Sequence, residues 1–106
     1  MRKAWILPVL LAAIAVSGCT ATNNSDSASA ASARCQQKCM DLADTNMDFS
    51  PGPCLDDAIA SDWVCDMAHN PRQAVDDNPA NQCPSFGNAA HHFVEVNENC
   101  RILRVV

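Results

Sequence analysis

Six cysteines, Cys35, Cys39, Cys54, Cys65, Cys83 and Cys100, lie between Arg34 and the C-terminus of this 106-residue chain. An even number of cysteines in so short a stretch is the signature of a disulfide framework. Such a domain buries little apolar surface, while ordering its chain costs on the order of 100 kcal/mol. Three bridges at about 2–4 kcal/mol each add as much as the whole net stability of a small domain. The bridges therefore decide whether the chain folds.

Spacing alone leaves the pairing open, with one physical restriction. Cys35 and Cys39 are four apart in a segment with helical periodicity, so both face the same way, and bridging each other would distort the helix. They are expected to have two different partners. Zinc is a poor competitor, because no C-x-x-C knuckle is present. The same absence removes a thioredoxin-type redox site and a c-type haem site.

The periodicity predicts a small α+β domain. Ser32 can cap a helix over Ala33 to Asp44, with Cys35, Cys39 and Leu42 on one face. A proline- and glycine-bearing loop follows over Asn46 to Pro53. A second short helix is expected from Pro53 to Ser61, where Asp56 and Asp57 sit near the positive end of the dipole and Leu55 and Ile59 share a face. Trp63 to Ala68 reads as a strand with Trp63, Cys65 and Met67 on one side. Asn70-Pro71 ends it, and a polar loop runs on to Asn81. His91–Val96 and Cys100–Val105 then form a C-terminal β-hairpin around Asn97-Glu98-Asn99, with His92, Val94 and Val96 on one face and His91, Phe93 and Glu95 on the other. The expected architecture is two short helices packed on a two- or three-stranded antiparallel sheet.

Apolar residues make up 48% of the chain, but they crowd into its start. Arg2 and Lys3 precede an uncharged run from Ala4 to Val16, which has the order and length of a secretory signal and is too short for a spanning helix of about 20 residues. The run ends in Val16-Ser17-Gly18-Cys19 and resembles the lipobox of prokaryotic lipoprotein precursors. The resemblance covers the first 19 residues. It implies cleavage before Cys19, a diacylglyceryl group on the Cys19 sulfur, and stable attachment through two acyl chains. Lipidation of Cys19 would also account for the odd seventh cysteine.

Residues 20–33, TATNNSDSASAASA, carry no aliphatic side chain larger than alanine, so they read as a flexible tether. Asn23-Asn24-Ser25 fits an N-glycosylation triplet, a pattern that arises often by chance in such composition. The expected organisation is a lipoprotein signal peptide over 1–18, lipidated Cys19 and tether over 19–33, and a cysteine-rich extracytoplasmic domain over 34–106. The protein is then exported and anchored to the outer face of the cytoplasmic membrane or to the outer membrane or cell surface. Its one expected partner is the membrane, reached through the lipid anchor, and the ligand or protein partner is not specified by these residues.

Without Arg2 and Lys3 the chain has five basic and twelve acidic side chains, a formal charge of −7. That balance excludes a phosphate-binding footprint and with it nucleic acid. No catalytic signature is present: Ser85 lies in no G-x-S-x-G elbow, and Asp56-Asp57, Asp76-Asp77 and the Asp41/Asp44 pair lack the alternation around a glycine that a calcium loop shows. Neither a cofactor nor a resident metal is expected. The most suggestive segment is the loop from His69 to Gln82, bracketed by Cys65 and Cys83, in which Arg72 can pair with Asp76 or Asp77 or meet an acidic ligand. These features predict a non-enzymatic binding or envelope-interaction module. The alternative is a metal-binding or metal-dependent protein using His69 with His91 or His92, although adjacent His91 and His92 should point to opposite faces of a strand.

Overall fold

A computed structural model describes residues 25–106. One α-helix, α1 (Ala28–Asp44), packs on a four-stranded sheet of β1 (Cys54–Ala60), β2 (Trp63–Met67), β3 (His92–Val96) and β4 (Ile102–Val105), ordered β1-β2-β3-β4. The fold is thus α+β, with one helix fewer and at least one strand more than expected. The outer pairs, β1–β2 and β3–β4, are antiparallel, and the central pair, β2–β3, is parallel.

The helix begins at Ala28, so residues 28–33 belong to α1 and not to the expected tether. Ser27, not Ser32, is the cap, accepting a hydrogen bond from the Ala30 amide at 3.1 Å. Tertiary contacts extend the helix backward. Ala31 is fully buried beside Cys35 and Cys39, and Asp26 is tied to the β1–β2 turn. Its amide donates to the Ser61 carbonyl at 3.0 Å, its carboxylate accepts from the Ser61 amide at 2.7 Å, and its carbonyl accepts from Trp63 Nε1 at 2.8 Å.

The segment expected as the second helix is strand β1. Two register shifts, between Cys54 and Asp56 and between Asp56 and Ala60, insert extra residues opposite β2. These bulges bring Leu55 and Ala60, five apart, to the helix-facing core and erase the alternation by which a strand is recognised. The acidic pair that suggested a helix N-terminus splits. Asp56 accepts from the Ala58 amide at 2.9 Å and pairs with Lys38 of α1 at 3.6 Å, while Asp57 turns to Ser85. Carboxylates and bulges on an edge strand also discourage pairing with another chain.

β2 and the hairpin fall close to their expected places. Trp63, Cys65, Met67, Val94 and Val96 are buried against α1, and His92 stacks on Trp63 with ring centroids 4.6 Å apart. The hairpin turn is longer than expected, spanning 97–101. Asn97 Oδ1 accepts from the Asn99 and Arg101 amides at 2.9 and 3.0 Å, and Cys100 adopts φ 63°.

Three disulfides close the domain: Cys35–Cys65, Cys39–Cys100 and Cys54–Cys83. Cys35 and Cys39 do reach two different partners, one on β2 and one before β4. Cys65 and Cys83, which bracket the polar loop, do not pair with each other; they anchor it to α1 and to β1 respectively. Two of the bridges clamp the helix onto one face of the sheet. The third holds the long β2–β3 connection against the other.

Candidate functional site

A parallel strand pair needs a crossover of a dozen or more residues, commonly a helix lying across the sheet. Here residues 68–91 make that crossover with two short 3-10 helices, Ala74–Asp77 and Pro79–Asn81. Side chains that point away from α1 meet this connection and leave a cleft of about 400 Å³ between them. Val64 and Asp66 of β2, Phe93 and Glu95 of β3, and Arg104 of β4 supply the strand side. Arg72, Gln82, Cys83 and Phe86 supply the crossover side.

The walls at one end are apolar. Phe86 and Phe93 meet edge to face with centroids 5.2 Å apart, and Val64 and Cys83 are buried beside them. The other end is charged. Glu95, almost fully buried, receives Arg72 Nη1 at 3.2 Å and Arg104 Nε and Nη2 at 3.2 and 3.4 Å. Arg72 also clasps Asp77, through Nε at 3.0 Å and Nη2 at 2.9 Å, and the Arg104 guanidinium lies 5.1 Å from the Phe93 ring centre. Both cations thus already hold carboxylates, as a buried Glu95 requires.

Asp66 is the exception. It is the register partner of Glu95 on the neighbouring strand, and its Oδ1 is covered and lacks a hydrogen-bond partner among the described residues. Burial pushes its carboxyl up to about 7, with the Glu95 charge adding to the effect and the Met67 amide and Arg72 opposing it. A covered acceptor without a donor is costly, and a carboxyl so perturbed on the lining of a cleft is a candidate functional group.

The loop residues chosen from sequence divide in two. Arg72 lines the cleft and pairs with Asp77 as expected. Asp76, the other expected partner of Arg72, is buried at 2% exposure and holds the crossover together. It accepts from the His69 amide at 3.0 Å, the Gln73 amide at 2.9 Å and His69 Nδ1 at 2.8 Å. Although burial acts to raise its pKa, the two amides and the imidazole hold this carboxyl below the usual carboxylate range. Gly52 (φ 67°) fits the space next to it, and a Cβ there would collide with Asp76 Oδ1.

His69 stands beyond the Met67 end of β2, whereas His91 and His92 stand at the Trp63 end, four strand residues away, or about 13 Å. The structure does not bring them together. His91 and His92 instead share Asp62, at 2.7 and 3.5 Å; β3 starts only at His92, and the amides of both histidines donate to the Asp62 carbonyl. Hydrogen bonding from His91 holds the Asp62 carboxyl below its usual range. Ser85 donates its hydroxyl to Asp57 at 2.5 Å. Among the described residues, the one group spaced for a cation is Cys54, Asp57 and Cys83, and its two sulfurs are joined in a disulfide.

Asp66, Glu95, Arg104, Phe86 and Phe93 were not singled out by sequence. The structure turns Trp63, Cys65 and Met67 inward, which leaves Val64 and Asp66 on the far side of β2, as turning Val94 and Val96 inward leaves Phe93 and Glu95 on the far side of β3. Charged residues alternating with core residues on two strands were the available signal. Whether solvent or a crossover covers that far face depends on parallel pairing. No protein-family model, curated protein or solved structure matches this chain. Val16 to Cys19, the basis of the lipobox resemblance, lie outside the described residues.

Proposed function

We propose that this chain is an exported lipoprotein, attached to the membrane through Cys19, whose disulfide-stapled domain is a non-enzymatic module that binds a small ligand in the cleft over the outer face of the sheet. The observation that carries the binding site is Asp66, a partly buried carboxyl that lines a cleft with aromatic walls and whose covered Oδ1 has no donor among the described residues. Small-ligand sites have this make-up: mostly apolar lining and a few placed polar groups on a rigid frame. The three bridges support an oxidising, extracytoplasmic setting. With the anchor at Cys19, residues 20–27 separate the lipid from α1 and reach at most about 28 Å, which keeps the domain close to the headgroups.

Two experiments test the two halves of this reading. Cys19→Ala in the full-length gene should release the protein from the membrane fraction, and a variant that stays membrane-bound after a carbonate wash would contradict the anchor. A fragment screen by backbone amide NMR on the intact exported protein should give binders whose shifts centre on Val64, Asp66, Phe93 and Glu95. A screen whose binders all map elsewhere would contradict the cleft.

A further inference from the structure

We infer that the cleft takes a cationic amphiphile, a primary or secondary ammonium on a small aromatic or aliphatic body, with the ammonium paired to Asp66 and the body held on Val64, Phe86 and Phe93. The inference rests on the reading of the cleft as the ligand site and adds the sign and chemistry of the ligand.

Three observations select that class. The first is the acceptor. Asp66 is the cleft-lining carboxylate that no arginine holds among the described residues; its covered Oδ1 has no hydrogen-bond partner there, and rotation about the broad terminal torsion of an aspartate brings an oxygen toward the cleft. An ammonium brings two or three donors and a compensating charge, the strongest form of that hydrogen bond.

The second observation is the charge balance. Around the cleft stand Asp66, Glu95 and Asp77 against Arg72 and Arg104, and both guanidinium groups are already held by Glu95 and Asp77 at 2.9–3.4 Å. With Asp66 ionised the set carries one uncompensated negative charge. A carboxylate or phosphate ligand would add a further negative charge beside these three carboxylates and compete with Glu95 and Asp77 for the same two guanidinium groups.

The third observation is the apolar end. Phe86 is half exposed and Phe93 partly buried, edge to face, with Val64 at the floor. A bare metal cation would leave these rings uncovered, whereas the body of an amphiphile removes them from water.

The titration of Asp66 gives the pairing its own signature. Its carboxyl stands at about 7 when the cleft is empty, so binding an ammonium near pH 6 expels a proton. Affinity should then fall about tenfold for each pH step below 7. The other ionisable groups facing the site are Glu95, Arg72 and Arg104 in the cleft, with Asp77 held by Arg72 at its edge and Asp76 and His69 in the crossover behind it. The Asp66→Asn variant separates their contribution from that of Asp66.

The test uses the full exported chain and three probes of nearly equal shape: phenethylammonium, phenethyl alcohol and phenylpropionate, each titrated by amide NMR at pH 7.5 and pH 5.5. The expected result is saturable shifts at Val64, Asp66, Phe93 and Glu95 for the ammonium alone. Binding should be roughly ten- to a hundredfold weaker in Asp66→Asn, and weaker in Phe86→Ala, whose exposed position makes it safe for folding. The pH dependence should vanish in Asp66→Asn. If the alcohol or the carboxylate shifts the same amides as strongly, or Asp66→Asn binds the ammonium unchanged, the inference is overturned and the cleft stands as a site for other ligands. If none of the three probes, and no fragment of any charge, moves the cleft amides, the inference and the reading beneath it both fall.

Discussion

Replacing Asp66 with asparagine should make the domain more stable at pH 8 and slightly less stable at pH 4. The native carboxyl titrates at about 7, against an ordinary value of 3.8. Between those values the folded chain holds a proton that the unfolded chain has released. Folding is unpenalised below pH 4, where the group is neutral in both states, and loses stability as the pH rises toward 7, above which the loss is complete. The full span corresponds to about 4 kcal/mol. Asparagine is neutral throughout, but it must bury an amide and gives back roughly 1–2 kcal/mol of that. The net gain expected above pH 7 is therefore about 2–3 kcal/mol. Urea unfolding followed by Trp63 fluorescence, run on both proteins at pH 4, 6 and 8, reads it directly. Because Asp76 and Asp62 have lowered pKa values, they give both proteins the opposite slope at acid pH, and the difference between the proteins isolates Asp66. A difference that is the same at pH 4 and pH 8 within about 0.5 kcal/mol would refute the reasoning, since Asp66 would then carry no burial penalty to relieve.

Other consequences can be measured on the same protein. Removing Cys39 and Cys100 together opens the longest loop, with a sequence separation of 61, and should cost about 4 kcal/mol, slightly more than removing Cys35–Cys65 at a separation of 30; urea midpoints of the paired variants rank them. Gly52→Ala forces a side chain onto a φ of 67° and into Asp76, so it should destabilise the domain by more than about 1 kcal/mol and speed amide exchange at His69 and Gln73, the two backbone donors to Asp76. Asp76→Ala strands those donors and His69 and should cost about 2–4 kcal/mol, read as loosening of the whole crossover in hydrogen exchange. Arg104→Ala leaves Glu95 with Arg72 alone and should lower the melting temperature while preserving all three bridges by mass.

What could be read in the sequence was whatever depends on local periodicity or on covalent need. Cys35 and Cys39 one turn apart implied a shared face and separate partners, and both hold. The alternation through Trp63, Cys65 and Met67, and through His92, Val94 and Val96, marks two strands and the residues that share a face on each. β1 was misread because its bulges destroy the period of two, and because Leu55 and Ile59 with two leading aspartates imitate a helix start. Its strand form is imposed by pairing with β2 and by the Cys54–Cys83 bridge, both of which are non-local. Parallel pairing of β2 with β3 was likewise invisible, and it decides that the 68–91 connection lies over the sheet and builds a cleft. Arg72 was found through its isolation among acidic neighbours. Asp66 was passed over because nothing within a few residues of it reveals that its carboxyl is buried and short of a donor.

The account turns on one chain being at once lipid-anchored, triply bridged and loaded in its cleft, and a single mass measurement addresses all three. The full-length protein, expressed in its own envelope and taken from the membrane in mild detergent, is weighed under denaturing and then native conditions. The account predicts a denatured mass that begins at Cys19, carries a diacylglyceryl group and lies about six daltons below the fully reduced chain. It also predicts a native mass increased by a small, exchangeable organic cation that Asp66→Asn loses. A chain that retains residues 1–18, that has free thiols, or whose native and denatured masses agree in the wild type and in Asp66→Asn alike would contradict it.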